Sequence, residues 1–372
     1  MGPLLAKSFS GGTGGAERQF YLFGTALAKR GWRVVFIADC PSPSDKLPEN
    51  MSVLHVPFKH IGGSKGHILL ELPKLFLALR LARTRYFAIK TAPHLSGVVC
   101  AYKAFFLSDL VMWGQSSTSF DRVVANESGW LRWIRWWGIR TAAVLIAQTT
   151  EQAERAQRDF GKRAYIVPNI TFPPNGCRPP AEAKGYIFWC GNHSPNKRAE
   201  VFLELAKLLP GHQFVMAMNG EECAERYQAL KRHAMEMGNL RFLGSVPAAD
   251  IDAWFAGACV YVNTSIREGF PNTFLQAWQQ GCPVVSINID PERNIDTENL
   301  GRCLYRDDQH LHETPNALAR QLSPVITSLL DNREILGNVG VCCRDYIERV
   351  HSERVVIDRF LDVMRGVQNG LA

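Results

Sequence analysis

A chain of 372 residues exceeds one ordinary hydrophobic core and is comfortable for two, and 46% hydrophobic with 21% charged residues is a globular balance, which excludes a disordered or fibrous protein. No apolar run reaches the length of a membrane span and no charged segment followed by an apolar stretch opens the chain, so a cytoplasmic protein without a signal peptide is expected. The net charge of +7 divides unevenly: residues 1–175 carry 22 Lys+Arg against 11 Asp+Glu, and the remainder carries 20 against 24. A basic first half calls for an anionic acceptor or surface, with phospholipid ahead of nucleic acid because no nucleic-acid motif accompanies the charge. The ten cysteines have no C-x-x-C spacing and read as reduced, mostly buried thiols.

Residues 3–9 read as a first strand, followed by a loop containing Gly11, Gly12, Gly14 and Gly15 and by a helix whose Phe20, Phe23, Leu27 and Ala28 share an apolar face. The loop does not satisfy G-x-G-x-x-G, because Glu17 stands at the last glycine. Residues 58–90 combine a loop, an amphipathic helix that Pro73 is expected to kink or divide, and the strand YFAIK. Lys59, Lys65, Lys74, Arg80, Arg83, Arg85 and Lys90 make this segment basic, suited either to anionic lipid headgroups or to plain solvation. His94 then falls at the carboxyl end of a strand and the start of a helix, the edge where open α/β sheets bind ligands. The next strand, LVMWGQSS, ends at Gln115 and its neighbours. Residues 128–140, SGWLRWIRWWGIR, hold four tryptophans and three arginines; Trp133, Trp136 and Trp137 can share one face, for which a core-facing stripe is the expectation ahead of a membrane-interface face.

Residues 171–184 are proline-rich, aperiodic and read as a linker. A second α/β domain opens with the strand YIFWCG, the loop NHSPNK and a helix headed by Lys197, where a cation is unfavourable unless an anion lies nearby. The strand HQFVMAM, a helix near 222–237 and the segment NLRFLGSVP follow. Cys259 to Asn263 reads as a buried strand, Pro271 and Asn272 open a helix, Gly281 ends it, and Pro283 to Ser286 begins the next strand. Glu268 precedes that helix, and the N–H groups of Asn272 to Phe274 lack intrahelical partners. Such donors suit a phosphate and the carboxylate suits hydroxyl groups; a nucleotide sugar carries both.

The stretch Ser265, Glu268, Gly269, Phe270, Pro271, Asn272, Leu275, Ala277, Gly281, Pro283, Val284 and Val285 resembles the E-x7-E signature of retaining GT-B glycosyltransferases, most closely glycosyltransferase family 4. The start GGAER, the segment 148–169 and the Lys197 loop fit the same family, so the resemblance covers nearly the whole chain. It implies an α/β GT-B fold of two doubly wound Rossmann-like domains facing a central cleft: an acceptor domain at 1–170, the linker at 171–184, a nucleotide-sugar domain at 185–345, and a C-terminal helix at 346–372 packing back on the first domain. It also implies retaining transfer from a nucleoside diphosphate sugar without a metal or other cofactor, to a glycan or lipid-linked acceptor in cell-surface polysaccharide or lipopolysaccharide synthesis.

By resemblance, Glu268 orients the sugar, Lys197 holds the leaving diphosphate and His94 faces the sugar from the first domain. Gly12, Gly14, Gly15, Asn192, Arg198, Phe242, Ser265, Gly269, Phe270, Pro271, Asn272, Thr273 and Gln276 are the remaining donor-site expectations. The chain departs from the pattern at three places: Gln276 replaces the second glutamate, Asn192 an arginine after Gly191, and Gln115 a second histidine. Arg198 or Arg267 can restore the lost phosphate charge. Two other readings stay open, a non-catalytic GT-B binding or scaffold protein and a GT-B nucleotide-sugar epimerase.

Overall fold

The computed structural model describes residues 15–57, 65–91, 93–114, 118–121, 128–173, 185–220, 224–247, 250–305 and 309–368. The expected strand at 3–9, Gly12, Gly14, Gln115 and linker residues 174–184 lie outside them. The chain divides into two compact units, Met1–Ile170 with Glu353–Ala372, and Thr171–Ser352.

In the first unit, α1 (Gly15–Lys29) precedes the parallel pair β1 (Val34–Ala38) and β2 (Met51–His55). The helix α2 (Lys65–Ala82) follows and runs through Pro73 as one element, so the expected division does not occur. Next come β3 (Tyr86–Lys90), α3 (Pro93–Phe105), β4 (Asp109–Trp113), α4 (Gly129–Thr141), β5 (Val144–Ala147), α5 (Thr150–Phe160) and β6 (Tyr165–Ile166), with β3 to β6 forming a parallel sheet in chain order. All four residues of β5 are buried, as a parallel strand covered on both faces requires. The ends of α5 are set by sequence: the Thr149 hydroxyl accepts the Gln152 N–H, and Gly161 closes the helix with φ +62°.

Of the four tryptophans of α4 only Trp137 packs against the core, and it is half-buried. Trp130, Trp133 and Trp136 are 47%, 60% and 41% exposed, while Arg135, Gly138 and Ile139 are buried. The reason is the closeness of α3: a Cβ on Gly138 would lie 2.6 Å from that of Ser96, and one on Gly97 would lie 2.9 Å from Ile134 Cγ2. Helices packed this tightly leave no room for an indole between them.

The second unit is a six-stranded parallel sheet. Its elements are β7 (Tyr186–Asn192), α6 (Ala199–Leu208), β8 (Phe214–Asn219), α7 (Glu225–Met235), β9 (Leu240–Gly244), α8 (Ile251–Gly257), β10 (Ala258–Asn263), α9 (Asn272–Gln279), β11 (Val284–Ser286), α10 (Asn294–Thr297), β12 (Gly301–Cys303), α11 (Pro315–Asp331) and α12 (Arg333–Tyr346). Side-chain alternation splits the core in two. Ile187, Trp189, Phe214, Met216 and Val262 meet α6, α7 and α11 on one face, and Tyr186, Phe188, Val215, Tyr261 and Val284 meet α8, α9 and α12 on the other.

Gly281, just past α9, has φ +74°, and a Cβ there would lie 3.1 Å from the Gly340 carbonyl oxygen and 1.9 Å from Arg344 Nη1. Gly281→Ala is therefore expected to lower stability by about 1–3 kcal/mol, read as an earlier urea midpoint.

Residues 346–352 stay with this unit: Tyr346 meets Trp278 edge-on at 5.5 Å and the His351 ring lies 5.0 Å from that of Phe270. The chain rejoins the first unit at Glu353, seven residues beyond the expected position, as α13 (Glu353–Gln368). There Glu353 pairs with Lys29 at 3.0 Å, Asp358 with Arg30 at 2.9 Å, and Phe360 stacks on Trp113 at 5.8 Å.

Candidate functional site

The strand order β12-β11-β10-β7-β8-β9 contains one reversal. From β7 the chain builds outward through β8 and β9, then returns to the other side of β7 and builds outward through β10, β11 and β12. Between β7 and β10 the connections leave in opposite directions, and at such a reversal open parallel sheets bind ligands beyond the carboxyl ends of their strands. Lys197 lies just past β7 and Glu268 just past β10, so the sheet itself brings together two residues 71 positions apart.

The β7 loop is shaped by its own side chains. Asn192 Oδ1 accepts the Ser194 N–H at 3.2 Å, and Pro195–Lys197 form one 3-10 turn. Arg198 then adopts φ +44°, so α6 begins only at Ala199 and Lys197 precedes the helix rather than heading it. Asn196 clasps the opposite loop at three points. Its Nδ2 donates to the Arg267 carbonyl at 2.9 Å, its Oδ1 accepts the Arg267 N–H at 3.1 Å, and its carbonyl accepts the Ile266 N–H at 2.8 Å. Beneath the clasp, Trp189 Nε1 donates to Thr264 Oγ1 at 2.9 Å, and that hydroxyl donates to the Lys197 carbonyl at 2.5 Å.

Arg198 is a strut for the same loop. Its guanidinium donates to the Thr264 carbonyl at 2.8 Å and to Asn288 Oδ1 at 3.0 Å, while Nη1 is buried without a protein acceptor. Burial holds the guanidinium below its ordinary pKa, opposed only by the charge of Glu313. Arg267, the other candidate for a phosphate charge, is exposed.

The Lys197 ammonium donates to the Glu268 carboxylate, and both side chains are about four-fifths buried. Separate roles were expected for these two residues; the structure joins them as one ion pair. Beside them α9 begins at Asn272 with no side-chain cap. The Phe274 N–H bonds the Pro271 carbonyl at 3.1 Å, which takes one of the three N–H groups expected to point at a ligand. Ser265 is 1% exposed and bonded to Asn263, and Phe270 is 6% exposed, so these two shape the loop from within. Pro271 is buried, Gly269, Thr273 and Phe242 are half-buried, and Phe242 meets Tyr227 edge-on at 6.1 Å.

Gln276 is 8% exposed, and its amide donates to Asp252 Oδ1 at 2.7 Å. A glutamate at this position would face a carboxylate; glutamine instead holds the Asp252 charge in place. In the first unit, Gly15 is the first residue of α1 and His94 the second of α3, with the His94 side chain outside the described set. The sequence alone pointed to none of Asn196, Thr264, Asp252 and Asn288. Their partners are distant in the chain, and no local spacing marks them.

Comparison with known proteins agrees with this geometry. The profile of Glycosyltransferase Family 4 matches residues 13–171, and that of Glycosyl transferases group 1 matches residues 184–339. The fold is that of the sucrose-phosphate synthase of Thermosynechococcus elongatus, with TM-score 0.77 and 16% identity over 99% of this chain and 97% of that one. Anabaena Alr3699/HepE, solved in complex with UDP and glucose, gives TM-score 0.71 and 13% identity over 96% and 97%. WaaG, a glycosyltransferase involved in lipopolysaccharide biosynthesis, gives TM-score 0.65 and 16% identity over 92% and 94%. In sequence, 112 residues are 31% identical to the O-antigen chain mannosyltransferase B of Escherichia coli; the match takes in 28% of this chain and 29% of that protein, under a third of its length. The chain is a GT-B protein of the glycosyltransferase type, resembling glycosyltransferase family 4.

Proposed function

We propose that the protein transfers a hexose, with retention at the anomeric carbon, from a nucleoside diphosphate sugar to a glycan or lipid-linked acceptor in cell-surface polysaccharide or lipopolysaccharide synthesis. The observation that carries this reading is the Lys197–Glu268 pair at the sheet reversal, beside the uncapped start of α9. In the ligand-free protein each charge neutralises the other. A diphosphate sugar divides them: the ammonium turns to the phosphate and the carboxylate to sugar hydroxyls. As the glycosidic bond breaks, negative charge grows on the diphosphate against fixed donors, Lys197 and the N–H groups of Asn272 and Thr273, while Glu268 orients the sugar. No metal or other cofactor takes part in this scheme. The reaction takes place in the cytoplasm at the inner face of the membrane.

The structural neighbours solved with UDP and a sugar, HepE and the pneumococcal O-GlcNAc transferase GtfA, support a nucleotide-sugar donor. A second reading, a GT-B protein that binds without catalysing, draws on Gln276: its amide is already committed to Asp252. Calorimetric titration with UDP, GDP and ADP, followed by product analysis with the sugar nucleotide of the base that binds, separates the two. Saturable binding of one nucleotide and release of that nucleotide on turnover is the expected outcome. Binding without release would favour the scaffold, an altered sugar on an intact nucleotide would favour an epimerase, and no binding by the folded protein would overturn the proposal.

A further inference from the structure

Arg226 is the second residue of α7, in its first turn, where the positive end of the helix disfavours a cation. The contacts that account for it lie outside its own helix. Its Nε donates to the His193 carbonyl at 2.7 Å and its Nη2 to Glu200 Oε2 at 2.9 Å. The side chain thus ties α7 to the first turn of α6 and to the loop that leaves β7. His193 is held from further directions. Its N–H donates to the Asn219 carbonyl at 3.1 Å, and its ring meets Tyr227 edge-on at 6.1 Å. Gly220 leaves room for that ring: a Cβ there would lie 1.9 Å from His193 Nδ1 and 2.6 Å from its Cε1.

His193 stands four positions before Lys197, and the 3-10 turn at Pro195–Lys197 lies between them. The loop is fastened on two sides. Asn196 and Arg198 bind it to the Glu268 side, through Arg267 and Thr264, and this sets Lys197 relative to Glu268. His193 binds it to the end of β8 and to α7, and this sets both residues relative to the rest of the sheet. The Glu200 and Arg226 side chains are each about one-third exposed, so their ion pair by itself contributes little stability. Its effect is orientation, because a guanidinium held by a carboxylate keeps Nε aimed at the carbonyl.

We infer that Arg226, oriented by Glu200, is a positioning residue that holds the Lys197 loop through the His193 carbonyl. This rests on the proposed function for what Lys197 meets, a diphosphate, whereas the tie itself is tested without a ligand. Arg226→Ala removes the tie, and Arg226→Lys keeps a cation that can donate to the same carbonyl. In amide hydrogen exchange of the ligand-free protein, the N–H groups of residues 193–198 are expected to exchange about tenfold faster in Arg226→Ala, with the interior of β7 and β8 at wild-type rates. Nucleoside diphosphate binding is expected to weaken about three- to tenfold in Arg226→Ala, to recover most of that loss in Arg226→Lys, and to be unchanged for the nucleoside. On a Lys197→Ala background the Arg226→Ala change is expected to add no further loss, because it acts through the ammonium. Unchanged exchange at 193–198 overturns the inference, as does a loss of diphosphate affinity that persists in full without Lys197. Faster exchange throughout the second unit also overturns it, making Arg226 a general support of the fold. Faster exchange confined to the loop, in a protein that binds no nucleotide, upholds the tie and removes the transferase.

Discussion

Lys197→Ala is expected to weaken nucleoside diphosphate binding by about 10- to 150-fold, the effect of losing a charge-assisted hydrogen bond of about 1.5–3 kcal/mol. Turnover should fall further, because the same ammonium faces the charge that grows on the leaving group. The structure adds a second consequence. Glu268, about four-fifths buried, loses its partner when Lys197 is truncated. A carboxylate left alone at that burial is costly, so the variant should also be less stable than wild type. Titration with the diphosphate and with the corresponding nucleoside separates the roles. The diphosphate should lose affinity and the nucleoside should not; equal losses for both would mean that Lys197 supports the loop and does not touch phosphate.

Glu268→Gln has the opposite signature. Turnover should fall by about 100- to 1,000-fold, the usual effect of removing one fixed electrostatic contact to a reacting group. Nucleoside diphosphate binding should hold or tighten by a few-fold, because Lys197 no longer has to leave a carboxylate to meet the phosphate. Steady-state kinetics and calorimetry on the single and double variants form a cycle whose coupling term measures the ion pair directly. Wild-type turnover in Glu268→Gln would remove the carboxylate from the mechanism. The pairing makes a gain in affinity the sharper outcome.

The parallel architecture was legible because buried parallel strands such as VLIA and CVYVN are short apolar runs bounded by turn residues, and because Pro271 and Gly281 bracket α9. The neighbourhood of Lys197 and Glu268 was legible from motif alone, but their ion pair was not, since it depends on β7 lying beside β10. Arg198 illustrates a different limit. A positive φ at arginine leaves no sequence signal, and the residue reads equally well as a helix start or a phosphate ligand. Trp133 and Trp136 of α4 were misassigned, and Trp137 was not, for a physical reason: large apolar rings usually go inside, and only the small contact surface of Ser96, Gly97 and Gly138 reveals that α3 has already taken most of the inner face. Gln276 read as a lost charge; its tie to Asp252 shows that a carboxylate is still present, supplied from a neighbouring helix.

The chain enters the second unit at Thr171 and leaves it at Ser352, and these two residues form a parallel bridge, with the Thr171 N–H bonded to the His351 carbonyl at 2.8 Å. The entrance and exit of a 182-residue body are thus fastened side by side. Topologically it is a cassette inserted into the first unit, closed by its own clasp. Such a body has no loose ends to order when separated from its host, and a new covalent link between its termini would need to span only the width of one strand pair.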